Sequence, residues 1–236
     1  HLLYDSSAAM PALSVDLEGK DMRLGLGARE GQDPATLPQG DIYLDVAGQG
    51  WTRREMAASL DGVVRYRFGP GKLAASSLGL FMNDFFSELL NVLNPMTSSK
   101  EYTELDCAVG AADFKSGRVA IGPTIVHTQQ VSILAEGTVD LNDERIDLNF
   151  NSRARKGLVG ISATDLVNPF IKVGGTLASP ALQLDPASTV VKGGIAVATL
   201  GLSIVAKSLA DRYLSSKDPC GDAWKEIQNR DSGDGP

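Results

Sequence analysis

The sequence predicts an α+β protein, mostly β, built on one long curved antiparallel sheet of consecutive hairpins with an apolar inner face. Short runs in which apolar and polar residues alternate recur along the chain, with glycines at their edges, as in β-rich proteins. Two longer segments show helical periodicity instead: an amphipathic helix at about 78–94 and an apolar helix at about 189–214. We therefore expect a sheet module with inserted helices over 1–186, the apolar C-terminal helix over 187–216 and a polar tail over 217–236.

The clearest hairpin spans residues 138–151. Its alternation breaks at Asn142-Asp143-Glu144 and then resumes, so the apolar residues of both runs would share one face. With the preceding run, these positions form a candidate lipid-binding groove face: Val131, Ile133, Val139, Leu141, Ile146, Leu148 and Phe150. For each of these residues the alternative is a place in an ordinary protein core.

Three further stretches carry turn residues between apolar runs, and each predicts a hairpin. Glu18-Gly19-Lys20 separates two runs near the start of the chain, and Gly69-Pro70-Gly71 separates two runs that begin at Gly62. Ser179-Pro180 follows Gly175-Thr176-Leu177 in the same way. The recurring pattern favours antiparallel strands added one after another to a single sheet over a solenoid of fixed period.

The helices differ in what they would contact. A capping box at Thr52-Arg53-Arg54-Glu55 predicts a short helix that ends near Leu60. The helix at about 78–94 carries a wide apolar stripe that would pack into the groove or cover it. The second long helix has no polar face between Gly193 and Ala206, a stretch too short to span a bilayer. A helix of this kind is buried or contacts lipid, and its candidate membrane-contact residues are Ile195, Val197, Leu200, Leu202, Ile204 and Val205.

Composition and motifs argue against several classes of function. A net charge of -7 disfavours a nucleic-acid partner, because phosphate binding requires clustered Lys and Arg. The sequence shows neither a metal-ligand cluster nor a nucleotide-binding or nucleophile motif, so we expect no enzyme activity, metal or cofactor. His127 fits the polar side of a strand. The basic cluster Arg153-Ala154-Arg155-Lys156 is either a solvated strand end or a contact for lipid phosphates.

The two cysteines, Cys107 and Cys220, match no metal-binding spacing. In an oxidising compartment they could form a disulfide, whereas the alternative is one buried thiol and one exposed thiol in the tail. The tail from Lys217 is polar, and we expect it to fray after Gln228.

Four groups of short motifs, in a fixed order, carry a resemblance to a known family. They are GWTRREMAASLDG at 50–62 with the helix that ends at Leu93-Asn94-Pro95, the pair 105–109 and 114–119, the stretch 137–157 running on to 173–180, and the apolar helix with Asp218-Pro219-Cys220. Over roughly residues 40–225, the chain resembles the C-terminal region of AsmA-like proteins of Gram-negative bacteria.

The resemblance implies a large periplasmic protein, anchored in the inner membrane by an N-terminal helix not present here, that carries phospholipids toward the outer membrane. The implied partners are phospholipid acyl chains, the outer-membrane leaflet or an outer-membrane protein, and the remainder of its own longer chain. The sequence starts without Met or a signal-like stretch, which also leads us to expect a piece of a longer protein. The alternative function is a structural or assembly scaffold that docks on an outer-membrane partner, with the apolar face as an ordinary core.

Overall fold

The computed structural model describes residues 2–5, 10–25, 31–74, 102–155, 171–184 and 212–233. Their dominant feature is one antiparallel sheet of eleven strands, which confirms the predicted mostly-β class. The strands are β1 Leu2–Asp5, β2 Ala12–Arg23, β3 Gln39–Gln49, β4 Asp61–Phe68, β5 Gly71–Ala74, β6 Tyr102–Lys115, β7 Arg118–Thr128, β8 Val131–Asp140, β9 Arg145–Ala154, β10 Ile171–Gly175 and β11 Pro180–Leu184. The helices are a 3₁₀ turn at Pro34–Thr36, α1 at Arg53–Ala58 and α2 at Pro219–Asp231.

The strands follow one another in chain order across the sheet, from β1 at one edge to β11 at the other. Each pair is antiparallel, and within the described strands the sheet is open. The predicted hairpins at β8–β9 and β10–β11 are confirmed: Asp140 pairs with Arg145, and Gly175 pairs with Pro180.

Two of the predicted hairpins are wrong. Glu18-Gly19-Lys20 is not a turn, because β2 continues through it and pairs with β3 on both sides of an irregularity between Gly19 and Met22. Asp21 takes a positive φ of 52° there, and its N–H donates to the Asp41 carboxylate at 3.1 Å. The residue types that favour turns also favour bulges, because both need unusual backbone angles.

The second wrong hairpin is the one at Gly69-Pro70-Gly71. Strands β4 and β5 do not pair with each other, since both pair with β6, Phe68 with Ala108 and Gly71 with Leu105. They therefore lie in line as one interrupted strand, and Pro70 stands in the interruption, where its missing N–H leaves no ladder hydrogen bond unmade.

At one end of the strands, hydrogen bonds join the loops that connect successive strands. The capping box predicted at Thr52 is confirmed: its hydroxyl accepts from the Glu55 N–H at 3.1 Å, and α1 ends at Ala58. The Gly117 N–H donates to Leu60 O and the Leu141 N–H to Gly117 O, both at 2.9 Å. These bonds hold the ends of neighbouring strands in fixed positions relative to one another.

The C-terminal residues differ from the expected tail. Helix α2 continues to Asp231, so the fraying expected after Gln228 is wrong. Its N-cap Asp218 accepts from the Gly221 N–H at 2.9 Å, and Pro219 occupies the first turn, where no N–H is needed. Cys220, Ala223 and Ile227 are buried, which explains why a polar segment is ordered: one side of it belongs to a core.

The remaining predicted helices lie outside the described residues. This holds for the whole amphipathic helix at about 78–94 and for the apolar helix at about 189–214 except residues 212–214. The candidate membrane-contact residues Ile195, Val197, Leu200, Leu202, Ile204 and Val205 also lie outside.

Candidate functional site

Strand register assigns the side chains of the sheet to two faces. In a β-strand, successive side chains point to opposite sides, and paired residues on neighbouring strands share a side. One row of paired residues crosses nine strands from β2 to β11, and all of its members are apolar: Leu17, Leu44, Val64, Ala112, Ile121, Gly137, Leu148, Val173 and Leu182. We call the side of the sheet that carries this row the apolar face. With a spacing of about 4.8 Å between strands, the row is roughly 38 Å long.

A second row on the apolar face crosses eight strands from β1 to β9. Its members are Leu2, Val15, Val46, Gly62, Phe114, Val119, Val139 and Ile146. Two parallel rows of this length mean that the apolar character belongs to the whole sheet and not to one hairpin.

The opposite side, the charged face, carries the Lys, Arg, His, Asp and Glu side chains of the regularly paired strand positions. Neighbouring strands are joined there by ion pairs: Arg67–Asp41 at 2.6 Å, Arg118–Asp140 at 3.2 Å and Lys172–Asp147 at 3.0 Å. The exceptions among the described charged strand residues are Lys20 and Asp21 in β2 and Asp106 in β6. They lie where the pairing register shifts, so the alternation of the two faces does not assign them. The sheet is therefore amphipathic across its whole width.

Most of the predicted groove residues come together on the apolar face. Val139 lies directly opposite Ile146, and Leu148 and Phe150 pair with Val173 and Ile171 of β10. Ile133, Ile146, Leu148 and Phe150 pack around buried Ile171 and Val173. Val131 is buried at the start of β8. Leu141 lies beyond the end of β8, in the turn before Arg145.

Exposure changes along the apolar face. At the β2 end, Leu17 and Met22 are 41% and 42% exposed. Near the other end, Ile171 and Val173 are only 1% and 2% exposed. One end of the apolar face is thus open to solvent, and the other is covered.

Glycines on the apolar face make room for aromatic side chains. Gly110 of β6 pairs with Tyr66 of β4, and a Cβ at Gly110 would lie 2.6 Å from the Tyr66 ring. The ring therefore lies against the β6 backbone. Burial raises the pKa of Tyr66 even though the Thr124 hydroxyl, a hydrogen-bond partner on β7, acts to lower it. Gly137, opposite Leu148, has a φ of +144°, a conformation that side chains rarely adopt.

Sequence reasoning missed much of the apolar face. Ile171, Val173 and Leu182 occupy short strands in which alternation covers too few residues to be recognised. Leu13, Val15 and Leu17 alternate with polar residues, so the sequence does contain a signal for this part of the apolar face.

Helix α2 packs on the charged face. Of the two alternatives for the cysteines, the structure has the disulfide: Cys107 of β6 is bonded to Cys220 in the first turn of α2. Around it, Ala223 and Ile227 contact an apolar patch formed by Val109, Ala111, Ile125 and Leu134, which lies on the charged face by register. Tyr213 and Leu214 complete this core.

The far end of α2 is held by a buried guanidinium. Arg65, whose side chain is 8% exposed, bonds Asp231 of α2 at 2.7 Å and Asp113 of β6 at 2.5 Å. Burial acts to lower the pKa of Arg65, but the hydrogen bonds with Asp231 and Asp113 outweigh it and raise the pKa. Near the middle of the helix, the Arg67 guanidinium lies 5.4 Å from the Trp224 ring centroid.

A serine, a histidine and an aspartate meet on the charged face without forming an accessible nucleophile. His127 Nδ1 lies 2.5 Å from Ser132 Oγ, while His127 Nε2 is 3.9 Å from Asp106. Ser132 is 4% exposed, so its hydroxyl is closed to substrate. Burial, and then the charge of Arg155, lower the pKa of His127. The side chains of Arg153 and Arg155 in the basic cluster contact protein partners, Ser215 and Asp106 respectively.

Within the described residues, no group of His, Cys, Asp and Glu side chains is arranged to hold a metal ion. In that same part of the chain, no helix combines the length and the apolar character needed to cross a membrane. Comparison with known proteins gives no match: no family model, curated protein or solved structure is significantly similar to the chain.

Proposed function

We propose that this chain is the C-terminal groove-end module of a periplasmic protein that spans the cell envelope and carries phospholipids between the inner and outer membranes. Acyl chains would lie on the apolar face, and head groups would remain in water beyond the strand ends. The module would act without catalysis.

The observation that carries the proposal is the row of nine paired apolar residues from Leu17 to Leu182. The hydrocarbon core of one bilayer leaflet is about 15 Å thick, half of the whole core. A path of roughly 38 Å would therefore accommodate a complete acyl chain with room to move along it. The regularly paired charged residues lie on the other face, so a chain moving along this path would meet no ionic group.

The position of α2 supports the same reading. A helix that completes an ordinary core packs on the apolar side of a sheet. Here the disulfide and the Arg65–Asp231 ion pair attach α2 to the charged face, where a separate apolar patch receives it. Helix α2 therefore packs against the charged face and does not use the apolar face for its core.

The energetics suit transport. Each buried CH₂ contributes about 0.8 kcal/mol, so six to eight methylenes would give roughly 5–6 kcal/mol before the entropic cost of binding is subtracted. A binding free energy of this size is large enough to bind an acyl chain and small enough to let it dissociate. Among the described residues, the regularly paired strand positions of the apolar face carry no charged side chain, which predicts low selectivity between head groups.

A scaffold module is the second candidate, and one observation favours it. Ile171 and Val173 are nearly fully buried, as in a closed core. On this reading the covered end of the apolar face, near β10, supports docking on an outer-membrane partner instead of carrying lipid.

Titration of the purified protein with a fluorescent fatty-acid analogue tests the proposal. We expect saturable binding that Leu44→Lys weakens, because this change places a charge in the middle of the apolar row. Tyr43→Lys is the matched control, since Tyr43 precedes Leu44 and is exposed on the charged face. Equal binding by both variants and the native protein, or no saturable binding to the native protein, would exclude lipid binding on the apolar face.

A further inference from the structure

Asn151 of β9 is a fully buried polar side chain whose carboxamide has no partner. Its exposed fraction is 0%, and within the described part of the chain neither its Oδ1 nor its Nδ2 has a hydrogen-bond partner. Other buried polar side chains are satisfied: the Thr128 hydroxyl donates to Val131 O at 3.0 Å, and Ser132 Oγ lies 2.5 Å from His127 Nδ1. The unmet hydrogen-bonding capacity of Asn151 therefore needs an explanation.

Register and contacts place Asn151 in the core beneath the segment that leads into α2. Its cross-strand partner is Leu134, which belongs with Tyr213 to the core on the charged face. Two residues further along β9 and on the same face, Arg153 Nη1 lies 2.5 Å from Ser215 Oγ. Asn151 thus points away from the apolar face, so what binds it does not depend on the proposed lipid function.

The chemistry of a carboxamide restricts what can satisfy it. Its nitrogen carries two N–H donors and its oxygen has two lone pairs, so the occupant has to accept one hydrogen bond and donate another. An anion accepts but does not donate, and a metal cation binds only the oxygen. Either ion would also bring an unpaired charge into the core, which is costly. Water is uncharged, both donates and accepts, and is small enough for a site with no exposed surface.

We infer that Asn151 binds a buried water molecule. The charged-face positions of β8 diagonal to Asn151 are Ser132 and Glu136, whose side chains can provide further hydrogen bonds to the water. Diagonal positions on paired strands lie about 7–8 Å apart, and a water with one hydrogen bond on each side spans roughly 5–6 Å. The water would therefore join β9 to β8 through side chains, in addition to the backbone ladder.

Oxygen-17 relaxation dispersion of the solvent tests the inference on the whole chain, because a buried water exchanges slowly and exchanging hydroxyl protons do not affect the oxygen signal. We expect Asn151→Leu to reduce the dispersion amplitude by about one internal water. Asn149→Leu is the matched control: it makes the same change two residues earlier, on the same face at a half-buried position, and should leave the amplitude unchanged. No dispersion in the native protein, no loss in Asn151→Leu, or an equal loss in both variants would overturn the inference.

A second variant keeps the test decisive if Asn151→Leu fails to fold. Asn151→Ser retains a group that donates and accepts, so the dispersion amplitude should stay at the native level. Loss of the amplitude in folded Asn151→Ser would contradict the inference.

Urea denaturation gives an independent readout, because a hydrated and a bare amide predict opposite shifts. If a water is bound, Asn151→Leu displaces it, leaves its other partners unpaired and lowers the urea midpoint. If the amide is bare, the same change removes an unsatisfied buried group and raises the midpoint. We expect a lower midpoint, and a higher one would overturn the inference.

Discussion

Arg65 of β4 and Asp231 at the end of α2 are joined by two hydrogen bonds, of 3.1 Å and 2.7 Å. Register places Arg65 on the charged face, so this contact fixes α2 on the side of the sheet opposite the apolar face. In the described part of the chain, the sheet thus carries α2 on one side and the two apolar rows on the other.

The Arg65–Asp231 contact should contribute measurably to stability. Asp231→Ala is expected to lower the free energy of unfolding by about 1–2 kcal/mol, because it removes charge-assisted hydrogen bonds to a buried guanidinium while Asp113 still pairs with it. Asp147→Ala is the control, since it and its partner Lys172 are both more than a third exposed and the loss should stay below about 1 kcal/mol. Urea denaturation measures both, and equal losses would contradict the assigned role.

The disulfide should stabilise the fold strongly. Cys107 and Cys220 are 113 residues apart, and in the chain-entropy model a loop of that size is worth about 4–5 kcal/mol, with measured losses of roughly 2–5 kcal/mol. We expect Cys107→Ala/Cys220→Ala to lower the urea midpoint, and added reductant to lower that of the native protein but not that of the variant. A native midpoint unaffected by complete reduction would contradict this prediction.

An added charge should destabilise the protein on the apolar face and have little effect on the charged face. Val139→Lys places an ammonium group beside Ile146 and should destabilise the protein by about 2–4 kcal/mol. Thr138→Lys, one residue earlier, puts the same group on the charged face opposite Asp147 and should change stability by less than about 0.5 kcal/mol. Thermal unfolding of the two variants tests the register, and similar losses would mean that it is wrong.

A side chain at Gly110 should destabilise the protein. Gly110→Ala would place a methyl group 2.6 Å from the Tyr66 ring and should cost about 1–3 kcal/mol. Gly69→Ala is the control, because its nearest contact would be Gln39 O at 3.4 Å. Adding Tyr66→Leu to Gly110→Ala should recover part of the loss in a double-mutant cycle, and a purely additive result would rule out the contact.

Stability should fall in mild acid because of His127. Burial and Arg155 hold the folded pKa of this imidazole below its ordinary 6.5, so the unfolded state binds more protons as the pH falls through that range. The free energy of unfolding should therefore decrease as the pH falls from about 7 to 5, and His127→Gln should flatten this decrease. His1→Gln removes the only other histidine and should leave it unchanged. An equally steep decrease in His127→Gln would contradict the assignment.

The hairpin at residues 138–151 and the capping box at Thr52 could be read from the sequence, because each depends on neighbours along the chain. The structure around Gly19 and Pro70 could not be predicted correctly from the sequence. The same residue types favour hairpin turns and strand irregularities, and only the pairing with β3 or β6 distinguishes the two.

The apolar face extends well beyond the residues that sequence reasoning selected. The contact between Leu148 and Val173 joins segments 25 positions apart, and register, not periodicity, brings them together. The docking of α2 was hidden for a similar reason. The buried positions that contact the core, Cys220, Ala223 and Ile227, form too short a stripe to distinguish a docked helix from a polar tail.

The most direct test of the central claim is photo-crosslinking at two adjacent positions of β3 in the living cell. A photoreactive amino acid at Leu44 lies on the apolar face, and the same group at Asp45 lies on the charged face. The proposed function predicts that phospholipid is captured at Leu44 and not at Asp45. Capture of protein alone at Leu44, or equal capture of lipid at both positions, would contradict it.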